Sequence, residues 1–414
     1  MFLKAFIWVF ILLFNNSVLS QLYPFKAYVD TLTSDYFSGR GYVRDGHLKT
    51  AKFIENEFTN IGLEPIVNNT YLQKFPIKVN IFEEDLFVKK NGKLLDEGVD
   101  YIIDPSSASL TGTFTTKLIN STNFNKIINS ENNNDLNQIF VVDASKTFDK
   151  DSTAYLNEMK LRLSSIGPVA YIQNSKLTWS VSSVQNKFPI LYLNKLFSIV
   201  DSSIFELSIK SRLETIITNN ICAKISGRKR KFIVITAHYD HLGMLGRAIF
   251  PGANDNASGV SLLLNLAKYY SSKKNKYNMI FICFGAEEIG LLGSNYFVSN
   301  PIIDLDKIKF LINLDIVGTG DDGIAIVNAV DQKKYARKIG VVNKELKLFS
   351  KIKIRAQAPN SDHFWFSQKN VPAIFIYTLG GIKAYHDIYD KSDTLPLNKI
   401  HDLFLLINTF LKQI

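Results

Sequence analysis

Phe232-Ile233-Val234-Ile235-Thr236-Ala237 is an almost wholly apolar run, and it stops at His238-Tyr239-Asp240. A run of this length without polar alternation predicts a strand covered on both faces, as in mostly parallel sheets with helices on either side. Outward from it, the same unit recurs. The apolar run 279–284 leads into Gly285-Ala286-Glu287-Glu288, 309–314 into Asp315, and 373–377 into a glycine-containing loop that reaches His386. Between the first two runs lies Gly252-Ala253-Asn254-Asp255-Asn256-Ala257-Ser258-Gly259, which opens a predicted helix over 257–271. Further helices are predicted over 289–298, 333–345 and 398–412, and a further strand over 324–328. From residue 219 onward the pattern gives an α/β class: a mostly parallel mixed sheet sandwiched by helices. Ligands of such sheets bind beyond the carboxyl ends of the strands.

Taken singly, each polar residue at those ends has an ordinary explanation. A histidine after a strand is usually surface polarity, Asp255 suits a helix N-cap, and Glu287-Glu288 suits a solvated pair. Taken together they do not, because packing alone gives no reason for one edge of a buried sheet to collect imidazoles and carboxylates. Such crowded negative charge is costly unless cations neutralise it. Two histidines with several carboxylates and no thiolate suit zinc or a similar divalent first-row ion. The donors exceed what one catalytic zinc needs, so a two-metal site with a bridging carboxylate is expected, and with it hydrolysis. Glu287, beside a ligand, is placed to carry the proton from water to a leaving amine.

The set His238-Tyr239-Asp240, Pro251 to Gly259, Gly285-Ala286-Glu287-Glu288-Ile289-Gly290, Asn313-Leu314-Asp315 and Tyr385-His386 resembles the M28 family of zinc aminopeptidases. The resemblance covers residue 219 to 414, and Gly39-Arg40-Gly41 before a helix is also similar to the family's N-terminal part. It implies two Zn2+ ions, one held by His238 and Asp315, the other by Glu288 and His386, with Asp255 bridging. It further implies Glu287 as general base and acid, and a cis Asp255–Asn256 peptide bond. Asp240 is expected to accept a hydrogen bond from the second ring nitrogen of His238. Ser361-Asp362-His363 matches a family segment near the substrate pocket, while His47, His241 and His401 are assigned to structure or surface. The implied activity is removal of N-terminal residues from peptides. Competing readings on the same fold are a glutaminyl-cyclase-like acyltransferase, a carboxypeptidase gripping its substrate through Arg355 or Arg247, and a catalytically inactive receptor-like protein.

The remaining sequence sets the context. The chain has 414 residues, 46% hydrophobic and 21% charged, with two cysteines, which excludes disordered and disulfide-stapled classes. Its net charge of +10 is spread along the chain, and the sharpest basic run, Arg228 to Lys231, reads as a solvated turn, so no nucleic-acid partner is expected. Residues 1–20 carry one lysine, an apolar run over 6–14 and a closing Ser20, which predicts a signal peptide, an exported protein and no stable membrane insertion after cleavage, the competing reading being an uncleaved N-terminal membrane anchor. Residues 21–71 and 216–414 are assigned to the peptidase-type domain. Residues 72–215 form short β-rich pieces without a histidine, and 139–143, 169–173 and 188–193 are similar to a protease-associated module, which would either wall the cleft and limit substrate size or serve as a packing appendage. Cys222 and Cys283 sit in apolar runs and are expected as buried free thiols.

Overall fold

The computed structural model describes residues 24–129, 137–197 and 199–414, so the expected signal segment 1–20 lies outside the described residues. Among the described residues no helix is long and apolar enough to cross a membrane. The strands of the larger sheet are β1 (Leu72–Phe82), β2 (Ser211–Ile225), β3 (Lys229–His238), β4 (Tyr277–Phe284), β5 (Ile308–Leu314), β6 (Gly323–Val327), β7 (Ile352–Ile354) and β8 (Ala373–Leu379), with the short Glu64–Pro65 beside β2. Their order across the sheet is β2-β4-β3-β5-β8-β6-β7. The four central strands β4, β3, β5 and β8 run parallel, whereas β2 is antiparallel to β4, and β6, parallel to β7, is antiparallel to β8. Four parallel carboxyl ends therefore open on one edge.

The apolar runs are buried on both faces, as their lack of alternation requires. One face packs under the helices Phe25–Leu32, Gly46–Ile61, Ser258–Ser271, Lys333–Leu346 and Ile400–Lys412, and the other under Leu292–Ser299 and His363–Gln368. In Gly46–Ile61 the buried stripe is His47, Thr50, Ala51, Ile54 and Phe58, whereas the apolar Leu48 is 39% exposed. Positions 47, 50, 51, 54 and 58 follow the helical repeat, and Leu48 falls one residue outside it. The helix stops at Gly62, whose φ of 82° is left-handed. Cys222 and Cys283 are buried free thiols on adjoining strands. In the register Cys222 lies opposite Ile282 and Cys283 opposite Ile221, so the two sulfurs point to opposite faces of the sheet.

A second, eight-stranded sheet is built from residues 87–209, with the helices Ser121–Ile128 and Lys150–Leu163 packed on it. It joins the first through the ribbon in which β1 pairs antiparallel with β2 from Ser211↔Phe82 to Ile221↔Leu72. Its core continues into Leu242, Leu245 and Phe250 of the hairpin that follows β3, and Trp179 packs on Phe250 with ring centroids 4.9 Å apart. The second sheet thus leans on the edge where the parallel strands end.

Candidate metal centre

His238 is the last residue of β3, and Asp315 follows β5 without an intervening residue. Glu287 and Glu288 lie in the turn after β4, Asp255 in the loop before the helix Ser258–Ser271, and His386 beyond β8. Four strand ends and one loop, rather than five strand ends, supply the group. His238 Nε2 lies 3.3 Å from Asp255 Oδ1 and 3.2 Å from Asp315 Oδ1. His386 Nε2 lies 3.2 Å from Asp255 Oδ2 and 3.2 Å from Glu288 Oε2. Asp255 therefore presents one oxygen to each histidine. Donor atoms of His238, Glu287 and Asp315, and of His238, Asp255 and Glu288, fall within 4.8 Å of one another.

These separations suit a metal. Ligands about 2.0–2.2 Å from a tetrahedral zinc stand about 3.3–3.6 Å from each other, and nitrogen with carboxylate oxygen is a donor set zinc accepts. The tautomer also fits. His238 Nδ1 faces the main-chain carbonyl of Asp240 at 3.1 Å, and since a carbonyl only accepts, Nδ1 holds the proton in the neutral ring and Nε2 is the nitrogen left for an ion. This corrects the expectation that the Asp240 carboxylate plays that part. Asp240 Oδ1 is 3.9 Å from Nδ1, and the carboxylate instead accepts from the amides of Glu287 at 3.1 Å and Glu288 at 3.3 Å, fixing the turn that carries both glutamates.

The electrostatics are those of a buried, acid-rich cluster. Burial pushes Glu287 well above the carboxylate range, and Glu288, Asp315 and Asp362 add to the rise against the opposing His238. Burial alone would lower His386, but Glu288 and hydrogen bonds to Asp255 and Glu288 outweigh it and raise it to about 11. Burial likewise opposes protonation of His238, yet Glu287, Asp315 and the bonds to Asp255 and Asp315 hold it well above its ordinary value. Glu288 ends at about 2, since His386 and His241 outweigh the burial and the Asp255 charge that would raise it. Without an ion, protons on the histidines neutralise the cluster.

Several supporting residues were not assigned from sequence. Arg40, fully buried, donates to the carbonyls of Tyr239, Leu32, Pro251, Gly252 and Asp255 at 2.6–3.2 Å, so one guanidinium ties the β3 end to the Asp255 loop. Gly41 lies so close to Gly243 that a Cβ on it would sit 2.4 Å from the Gly243 Cα, which explains the glycine beside Arg40. Asp390 accepts from the amides of Asn254 and Asp255 at 2.9–3.1 Å. Its only trace in the sequence is an acid four residues after His386. Ser361 donates to Asp315 Oδ2 at 2.8 Å and accepts from Asn313 at 2.7 Å. The Asp255–Asn256 bond is cis, as expected.

The other histidines divide. His363 packs on Phe375 with ring centroids 5.5 Å apart, and burial lowers it to about 4. His47 faces the Gly41 carbonyl at 3.3 Å and His401 meets Phe25 edge-on, both structural as assigned. His241 is different: it is fully buried with Nδ1 2.6 Å from Glu288 Oε1, inside the cluster and not at the surface. Arg355 donates to the Tyr377 hydroxyl at 2.7 Å, and Arg247 lies 3.8 Å from Glu97.

Residues 220–411 match the family model described as Peptidase family M28. Aminopeptidase YwaD of Bacillus subtilis (strain 168) is 33% identical over 165 residues, 37% of this chain and 35% of that one, so the matched segment spans little more than a third of that relative. Glutaminyl-peptide cyclotransferase of Drosophila melanogaster is 24% identical over 226 residues, 46% of this chain and 64% of that one. Among solved structures, BSAP, a zinc aminopeptidase from Bacillus subtilis, has the same fold, with a TM-score of 0.70 at 19% identity over 94% of both chains.

Proposed function

Residues 220–411 form a domain of peptidase family M28, and from that premise we propose that the protein is an exported dinuclear-zinc aminopeptidase. The observation that carries this reading is Asp255, whose two carboxylate oxygens face His238 and His386 at 3.3 and 3.2 Å. In this reading His238 and Asp315 hold one ion, Glu288 and His386 the other, and Asp255 is shared. The ions would supply Lewis-acid polarisation of the scissile carbonyl and a water of lowered pKa. Glu287 takes a proton from the attacking water and returns it to the nitrogen of the leaving amine. Its raised proton affinity, from burial and the neighbouring acids, suits that task.

Substrates are peptides with a free N-terminus. The region 72–215 walls the cleft as an inserted unit, and residues 1–20 direct export. A second reading, a glutaminyl-peptide cyclase, draws on the Drosophila relative. One assay decides. Aminoacyl p-nitroanilides, their N-acetylated counterparts and an N-terminal glutamine peptide are incubated with the zinc-loaded protein, with and without chelator. Release from free-amine substrates alone, abolished by chelator, is expected. Cyclisation of the glutamine peptide without hydrolysis would replace the aminopeptidase reading with the cyclase.

A further inference from the structure

The carboxylates of the centre share a pattern. Asp315 turns Oδ1 to His238 Nε2 at 3.2 Å, while its other oxygen accepts from Ser361 Oγ at 2.8 Å. Glu288 turns Oε2 to His386 Nε2 at 3.2 Å, while its other oxygen lies 2.6 Å from His241 Nδ1. Asp255, by contrast, faces a histidine with each oxygen. The two terminal carboxylates thus each offer one oxygen to the centre and give the second to a protein donor.

We propose that His241 is a positioning residue that holds Glu288 in a one-oxygen ligand geometry through an Nδ1–H···Oε1 hydrogen bond. The inference rests on the dinuclear reading above. The ring is locked for the purpose. It is fully buried, its main-chain amide donates to the Arg40 carbonyl at 3.4 Å, and it packs on Gly252 so tightly that a Cβ there would meet its Cδ2 at 2.4 Å and its Cγ at 2.6 Å. At the other end, the Glu288 amide donates to Asp240 Oδ2 at 3.3 Å, so backbone and carboxylate are both fixed. Loss of the imidazole donor would free Oε1 to swing toward the ion, exchanging a defined ligand for a mobile one. Hydrogen-bond partners of metal ligands typically account for about 10–100-fold in metal affinity.

The test is a Zn2+ titration of metal-free protein that resolves two binding steps, run on the wild type, His241→Leu and His241→Asn, with circular dichroism as the check on folding. Asn places an amide N–H near the Nδ1 position but has nothing where Nε2 was. Expected are a roughly 10–100-fold loss in one step only for His241→Leu and recovery of most of it in His241→Asn. Equal weakening of both steps would make His241 merely structural, and an Asn variant as weak as the Leu variant would make Nε2 the important atom; either result overturns the proposal. Unchanged steps in His241→Leu, with two ions in the wild type, overturn it alone. A wild type that binds fewer than two ions overturns the dinuclear reading and this inference with it.

Discussion

The two sides of Asp255 are supported by different means. On the His238 side both partners continue adjacent parallel strands, β3 and β5, and the register Thr236↔Asn313 sets their spacing. Their side chains are 2% and 7% exposed. On the His386 side Glu288 comes from a turn and His386 from a loop beyond β8, with a left-handed φ of 52° and a side chain 17% exposed. That loop is held from the second sheet. The main-chain amide of Trp179 donates to the His386 carbonyl at 2.8 Å, and Lys176 reaches the carbonyls of Lys383 and Tyr385 and the Asp387 carboxylate at 2.7–3.2 Å. The sheet builds one half directly; the other half depends on residues 174–189, which connect two strands of the second sheet. A site assembled on strands is stiffer than one on loops, and here the region 72–215 supplies the missing stiffness.

The largest expected effect falls on the residue common to both halves. Asp255→Ala should abolish detectable turnover and lower zinc content on both sides, because each ion loses an anionic ligand. Zinc per chain by atomic emission, read beside turnover, checks it. A variant that kept both ions at wild-type affinity would show the halves to be independent of Asp255. Next in size is Glu287→Gln, which should retain zinc and reduce turnover by about 10²–10⁴-fold, the range of general acid–base catalysis. Glu288→Gln should instead release metal from the His386 side. Metal loss in the Glu287 variant with retention in the Glu288 variant would mean that the two neighbours have exchanged roles.

The better-supported half was also the more legible one. Apolar runs that stop at His238 and at Asp315 can be read along the chain, because strand, strand end and functional group are contiguous. The supports of the other half are remote in sequence. Trp179 and Lys176 stand some two hundred positions from His386 and sit in a region whose own pattern says only that it is β-rich. Arg40 stands out in the sequence only by its flanking glycines, and its five carbonyl partners come from three separate segments that no spacing rule connects. The contact of His241 is hidden for a related reason: its partner Glu288 lies 47 positions further along the chain, and only the fold brings that carboxylate to its ring.

Proton release sharpens the comparison further. In the metal-free protein His386 is raised to about 11 and His238 well above its ordinary value, both by carboxylates that outweigh burial, so both rings are protonated at neutral pH. Zinc needs the neutral imidazole, so binding expels these protons, and affinity rises with pH and falls as pH is lowered, by about tenfold per unit for each proton displaced. Calorimetric titration in buffers of different ionisation enthalpy counts them. Proton release in each binding step is expected; a step that releases none would show that its histidine is already neutral or is not a ligand.

The smallest expected effect is the most direct test of the support from the second sheet. Lys176→Met keeps the aliphatic stem and removes the ammonium that ties Asp387 and the carbonyls of Lys383 and Tyr385, just before His386. The Trp179 N–H bond to His386 remains, and Lys176 is 49% exposed in its side chain, so solvent screens the ion pair. The loss in zinc affinity is therefore expected at about two- to fivefold, the scale of a surface ion pair, and confined to one of the two binding steps. The other step, built on β3 and β5, has no contact with Lys176 to lose. Asp387 bears on the direction of the effect: its carboxylate also accepts from the amides of Tyr385 at 3.4 Å and Tyr389 at 3.0 Å, so once Lys176 is gone it still braces the loop on both sides of His386. That residual brace is why a modest change is expected and not loss of the ion. Equal weakening of both steps would mean that the second sheet stabilises the whole cleft, and no change in either would leave Trp179 as the only tie that matters.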